Sequence, residues 1–334
     1  MPEGKIRLPK ICNPPNITNP PQQQVWIIFG ASSQMGRSLA KFCIESNDLI
    51  VAVGCKSGDT LESMPVWHNA VNTVCDVRCY SSVEKVISLA LSYYNRINLV
   101  VNCVEYGVMG ACEDQSEFEL RKQQEINFMG TLHIIQVSLP YFRKQGAGKF
   151  IVYNTTPGAL GTPGLGPFFA SKYAVEGLLE SMLYEVHQFN IKVSLLECGW
   201  LGEDSFDREK NAFRSLESVS SSFSLENFVI KPPSEPYSQQ SSPALHAMRM
   251  VQLIGDKQPI CIMKCSDLAW QLGHCSYPPF RLSLGSYAIE CVRDRLRSLV
   301  EETEDWTNLH FPITPGESIS GDESEERRGK RDSL

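Results

Sequence analysis

Val25-Trp26-Ile27-Ile28-Phe29-Gly30-Ala31-Ser32-Ser33-Gln34-Met35-Gly36-Arg37 decides the fold. Its first five residues are apolar without alternation and rich in branched side chains. That predicts a strand buried on both faces, as in a parallel sheet. Gly30 opens a turn that closes at Gly36, and residues 38–46 read as a helix. A strand that feeds a glycine turn and then a helix leaves backbone N–H groups pointing out of the helix start, at the positive end of its dipole. A dinucleotide pyrophosphate docks at such a place. Ser32, Ser33, Gln34 and Met35 complete the loop.

The same unit recurs along the chain. Strands are predicted over residues 49–53, 70–74, 98–103, 149–153 and 191–197, with helices over 82–94, 118–143 and 169–189. This alternation predicts an α/β class, doubly wound Rossmann fold: a single domain whose parallel sheet carries helices on both faces. Such a sheet places its ligand at the carboxyl ends of the strands, where Gly30, Asn102, Thr155 and Gly199 fall. Over residues 202–242 serine, proline and charge dominate, and a loop of that length is expected to serve as a lid over the site. A helix over 244–254, a strand over 281–285 and a helix over 286–300 complete a domain of residues 25–312. Residues 1–24, rich in Pro, Asn and Gln, read as a disordered arm, and the charged residues 313–334 as a disordered tail.

Composition removes several function classes. A net charge of −7 argues against nucleic acid as a partner. No apolar run reaches the ~18–20 residues of a membrane span, and Met1 to Gln24 has no apolar signal core. Twelve cysteines, several within apolar segments, read as reduced thiols of a cytoplasmic protein. Cys261, Cys265 and Cys275 with His274 follow no zinc spacing, so no metal is expected.

Several motifs fall in register with one known pattern. Gly30 and Gly36 match two glycines of a Thr-Gly-x-x-x-Gly-x-Gly loop. Asn127 lies within Ile126-Asn127-Phe128-Met129-Gly130-Thr131, and Thr155 closes the fifth strand. Phe168-Phe169-Ala170-Ser171-Lys172 stands where a Tyr-x-x-x-Lys segment would be, and Gly199 follows the sixth strand. In these motifs the chain resembles the short-chain dehydrogenase/reductase family, nearest its hydroxysteroid and retinol dehydrogenase branch. The resemblance implies NADP(H)- or NAD(H)-dependent oxidation and reduction of an alcohol or carbonyl, and a homodimer paired through the helices at 118–143 and 169–189. It also implies roles for single residues. Lys172 would bind the nicotinamide ribose and lower the pKa of the tyrosine. Asn127 would position a water, Thr155 would polarise the carbonyl, and Asp76 would touch the adenine.

The departures from the pattern fall in the same places. Phe168 has no ionisable proton where the family's tyrosine gives or takes one. Gln34 replaces the middle glycine of the loop and Phe29 its threonine. Glu105 stands in Asn102-Cys103-Val104-Glu105 where the family has glycine, and Glu203 where it has threonine. Without an acid at the end of the second strand, and with Lys56 nearby, the cofactor reads as NADP(H). A positioned general acid is worth about 10²–10⁴ in rate. The expectation is therefore a nucleotide-binding oxidoreductase scaffold that is catalytically impaired, a pseudoenzyme. The alternative is an active NADP(H)-dependent reductase of a small apolar substrate, with Lys172, Tyr153, Tyr173 or a water as substitute acid. Phe168, Phe169, Leu165 and Trp200 would line the apolar pocket.

Overall fold

The structure, a computed structural model, describes residues 6–309 apart from 57, 63, 65, 156–160, 200–226 and 250–260. Trp200, Glu203, much of the expected lid and the expected tail thus lie outside the described residues. The strands are β1 (Val25–Phe29), β2 (Leu49–Gly54), β3 (Ala70–Val74), β4 (Leu99–Asn102), β5 (Gly107–Met109), β6 (Gly148–Thr155), β7 (Ile191–Cys198), β8 (Phe228–Ile230) and β9 (Arg281–Leu284). The α-helices are α1 (Gln34–Glu45), α2 (Tyr80–Tyr94), α3 (Glu117–Gln124), α4 (Gly130–Gln145), α5 (Gly166–Val186), α6 (Ile262–His274) and α7 (Ser286–Asp305).

Seven strands pair in parallel in the order β3-β2-β1-β4-β6-β7-β9, the doubly wound sheet that the alternating pattern implies. Side chains of a strand alternate between its faces, and β1 divides accordingly. Ile27 and Phe29 enter one apolar layer with Val86 and Ile87 of α2 and Val175 and Leu179 of α5. Trp26 and Ile28 enter the other with Leu39 of α1 and Ala269 and Leu272 of α6. The strand order reverses between β1 and β4, so the loops after these two strands open a crevice at the carboxyl edge of the sheet.

Several features differ from the sequence reading; beside the β5–β8 pair, three stand out. The helix expected over 118–143 is interrupted. Ser116 and Glu119 form a reciprocal capping box at the start of α3, and a π-helical turn, Glu125–Met129, separates α3 from α4. Such turns widen a helix and re-aim its side chains; here the turn carries Asn127. Helix α6 was not expected, although Ile262, Cys265, Ala269 and Leu272 sit at helical spacing and are all buried. The third difference is a correction: residues 6–24 are not a free arm. Leu8 and Cys12 are buried, Leu8 N–H donates to Gln271 Oε1 at 3.0 Å, and Tyr277 N–H donates to Cys12 O at 3.2 Å.

Candidate functional site

The β1–α1 loop is built for close backbone approach. Gly30 has φ +80°, and a Cβ there would come within 2.9 Å of the Cys103 carbonyl carbon. A Cβ on Gly36 would meet Gly30 O at 2.2 Å. Ser33 caps α1: its Oγ accepts from Gly36 N–H at 3.2 Å and donates to Gly30 O at 2.7 Å. Met35 points into the core, and Gln34 is half-buried at the helix start. A cavity of about 190 Å³ begins at this loop, with Ser32, Ser33 and Lys56 at one end and Glu105, Tyr106 and Phe228 at the other.

An acid does stand near the end of β2, which the sequence reading missed. Asp59 accepts from Ser32 Oγ at 2.6 Å and from Lys56 N–H at 2.7 Å. A turn closed by Asp59 N–H donating to Lys56 O at 3.1 Å brings it back over the loop. Its distance from the strand end hid it, because spacing rules look for the acid at the strand terminus. Asp76, by contrast, does not line this cavity. Its carboxylate pairs with Arg78 at 2.7 Å, and that hydrogen bond holds its pKa below the ordinary value.

Asn102 does not face the cavity either. Its Nδ2 donates to Thr131 Oγ1 at 2.9 Å and its Oδ1 accepts from Val104 N–H at 2.9 Å, which fixes the chain where it leaves β4. Gly199 is buried directly after β7. The backbone of Thr155 pairs with Cys198 at the end of β6; its side chain lies outside the described residues.

Of the four expected relay residues, Asn127, Phe168 and Lys172 lie around Ser171, while the Thr155 side chain is outside the described residues. The π turn presents Asn127, whose Oδ1 accepts from Tyr106 N–H at 2.8 Å. Its Nδ2 donates to Tyr106 O and to Ser171 Oγ, both at 2.8 Å. Ser171 Oγ donates in turn to Phe168 O at 2.6 Å. Lys172, one helical turn after Phe168 on α5, is 3% exposed. Burial lowers its pKa, and the Glu105 carboxylate, with Oε2 3.6 Å from Nζ, works in the opposite direction. Glu105 lines the cavity and Lys172 does not, so the carboxylate stands between the cavity and the ammonium.

Phe168 has no exposed surface. It belongs to an apolar cluster with Met109, Leu165, Phe169 and Ala247, against which Phe228, Met248 and Tyr287 pack. Its ring meets Phe169 at 5.3 Å and Phe228 at 5.0 Å, both edge to face, and Lys172 Nζ stands over it at 5.4 Å from the centroid. Phe228 arrives on β8, which pairs with β5 in a separate parallel ribbon. Phe228, within the segment 202–242, thus packs against Phe168.

Neither tyrosine expected as a substitute acid lines the cavity. Tyr153 lies in the layer with α1 and α6; its hydroxyl is buried with no hydrogen-bond partner, and burial drives its pKa far up. Tyr173 is 38% exposed and lines no part of the cavity. His274 contacts Asp48, Nε2 to Oδ2 at 2.9 Å; among the described residues no three His, Cys, Asp or Glu side chains are gathered around a shared centre. All twelve cysteines are unpaired.

A nicotinamide adenine dinucleotide can be tested against these residues half by half. The loop end fits: the glycines leave room for phosphate oxygens, α1 points its N–H groups there, and Lys56 lines the cavity beside it. The far end does not fit. A carboxylate covers Lys172, and the Phe228 ring fills the space beside Gly107 and Phe168.

Comparison with known proteins agrees with the fold. Residues 24–212 match the family model described as short chain dehydrogenase. The chain is 33% identical over 178 residues to a 3-ketodihydrosphingosine reductase of Bacteroides thetaiotaomicron, a match covering 53% of this chain and 64%, just under two thirds, of that protein. A short-chain dehydrogenase of Streptomyces avermitilis superposes with a TM-score of 0.69 at 24% identity, covering 86% of this chain and 97% of the other. A short-chain dehydrogenase/reductase of Burkholderia phymatum, solved in complex with NAD, superposes at 0.66 with 19% identity, covering 88% and 99%. Among the described residues no helix is long and apolar enough to cross a membrane.

Proposed function

Because the chain belongs to the short-chain dehydrogenase family, we propose that it is a nicotinamide-nucleotide-binding oxidoreductase scaffold whose hydride chemistry is silenced. One observation carries this reading. The residue one turn before Lys172, where the resemblance puts a phenol, is a phenyl ring sealed beneath Phe228. Reduction of a carbonyl needs a proton delivered as the alkoxide forms, and a benzene ring has none to give. Glu105 adds to the effect by neutralising the lysine that a cofactor ribose would otherwise meet.

NADP(H) is the cofactor we favour, on the strength of Lys56 lining the cavity. Asp59 beside Ser32 supports the NAD(H) form instead, since a carboxylate accepts from a free ribose diol and repels a 2′-phosphate. The apolar cluster around Phe168 supports an apolar ligand. The exposed Tyr141, Tyr173 and Tyr184 on α4 and α5 support pairing of two copies through those helices. A reductase with a substitute acid is the second reading. What favours it is Glu105, a titratable group that is open to the cavity and in contact with Lys172.

The test is titration of the full chain with NADPH and NADH, read by nicotinamide fluorescence and followed by an assay on apolar ketones. The silenced scaffold binds and does not turn over. Turnover that disappears in Glu105→Gln would establish the second reading. No fluorescence change and no calorimetric heat with either dinucleotide up to millimolar concentration would remove both.

A further inference from the structure

The misfit at one end of the cleft bears on what the cleft is for; the argument rests on the reading of the β1–α1 loop as a nucleotide site. A dinucleotide laid across a doubly wound sheet straddles the point where strand order reverses, with one nucleotide on each half. Here the halves are not equivalent. On the β2 side the loop is capped by Ser33 and lined by Ser32 and Lys56, and Asp59 accepts from both of the latter. On the β4 side the chain supplies its own occupants. Glu105 takes the position in front of the Lys172 ammonium. Phe228 packs so tightly against Gly107 that an added Cβ there would lie 2.2 Å from its ring.

The aromatic plug is fastened. Gly107 N–H donates to Asn227 O at 3.0 Å, and Lys231 N–H donates to Met109 O at 2.8 Å, at the two ends of the β5–β8 ribbon. Beyond it, Lys231 Nζ pairs with Glu119 at 2.8 Å, Ser234 N–H donates to Asp114 at 3.0 Å, and Tyr237 OH donates to Glu113 at 2.6 Å. Five contacts over eleven residues hold Phe228 in place from both sides.

We propose that the cleft takes a nucleoside diphosphate, with its pyrophosphate on the start of α1 and its ribose beside Lys56 and Asp59. The second nucleotide of a dinucleotide is excluded by Glu105 and Phe228. A dinucleotide then binds through one half alone, and its nicotinamide contributes no affinity.

Isothermal titration of the full chain tests this with ADP, NADH, adenosine 2′-phosphate 5′-diphosphate, NADPH and nicotinamide mononucleotide. ADP should match NADH, and the 2′-phosphorylated diphosphate should match NADPH, each within about threefold, with no heat from the mononucleotide. In the double variant Phe228→Ala, Glu105→Gly the dinucleotides should gain about tenfold or more, while the diphosphates stay unchanged. A dinucleotide that binds the unmodified protein more than about tenfold tighter than its matching diphosphate overturns the inference and leaves the nucleotide reading standing. Silence from all five compounds removes the nucleotide reading, and this inference with it. If circular dichroism shows the double variant unfolded, the comparison in the unmodified protein decides alone.

Discussion

Phe168→Tyr would restore the missing phenol, and the structure forecasts that it restores nothing else. The ring is fully buried among Met109, Leu165, Phe169 and Ala247, with Phe228 across its edge. Lys172 Nζ stands over the face of the ring, 5.4 Å from its centre, whereas a phenol oxygen lies in the ring plane. The new hydroxyl therefore enters an apolar cluster that offers it no partner among the described residues. A buried hydroxyl left unbonded costs about 1–3 kcal/mol. For a domain of roughly 150–250 residues, 1 kcal/mol moves Tm by about 2–4 °C, and somewhat less for a larger one. A fall of several degrees is expected by differential scanning calorimetry. NADPH-dependent reduction of ketones should stay at background, because Phe228 still closes the space. Adding Phe228→Ala should lower Tm further, since truncating a packed ring costs about 3–5 kcal/mol, more than wetting one hydroxyl returns. An undiminished Tm together with new reductase activity in the single variant would refute this reasoning: it would mean that the phenol finds Lys172 and that the pocket opens on its own.

Two further outcomes follow from groups already described. Lys172→Met should leave stability unchanged or raise it by about 1 kcal/mol, because it removes a desolvated ammonium while Glu105, 31% exposed, keeps its water. Urea titration checks this, and a loss beyond about 3 kcal/mol would show the ion pair to be structural. The second concerns alkaline pH. Burial pushes the Cys43 and Cys103 thiols up, and a hydrogen bond with Cys265 joins burial in doing so at Cys198. A raised folded-state pKa means that the unfolded chain loses its proton first. Stability from these thiols is therefore complete below an unfolded value near ~8.5 and is lost as pH climbs above it. At pH ~10 each thiol removes about 2 kcal/mol, together about 6 against a usual total of ~5–15. Equal urea midpoints at neutral pH and at pH ~10 would contradict this.

The sheet and the nucleotide loop were legible because their signals are local. Val25–Phe29 followed by Gly30 and Gly36 specifies strand, turn and helix within a dozen residues. Asn127 and Lys172 were singled out for another reason: spacing along known motifs brings them to neighbouring positions whatever lies between. Asp59 was hidden by a turn that folds it back, and Asp76 was read as a cofactor contact although Arg78, two residues away, satisfies it. The π turn escaped because apolar spacing runs through it nearly unbroken. Phe228 could not be singled out at all. Its importance comes from pairing with β5, more than a hundred residues earlier, and nothing in a serine- and proline-rich stretch announces a partner at that distance.

The packing of residues 6–13 has a practical side. The Pro-, Asn- and Gln-rich composition of residues 1–24 invites an experimenter to trim them before expression. Yet Gln271, which holds Leu8 N–H through Oε1, also donates from Nε2 to Ile6 O at 3.0 Å, and Asn13 donates to Ser276 at 2.9 Å. Cutting the chain at Val25 would strip a buried leucine and a buried cysteine from the outer side of α6 and leave an apolar scar there. Poor behaviour of such a truncated preparation would then report on the cut and not on the enzyme fold.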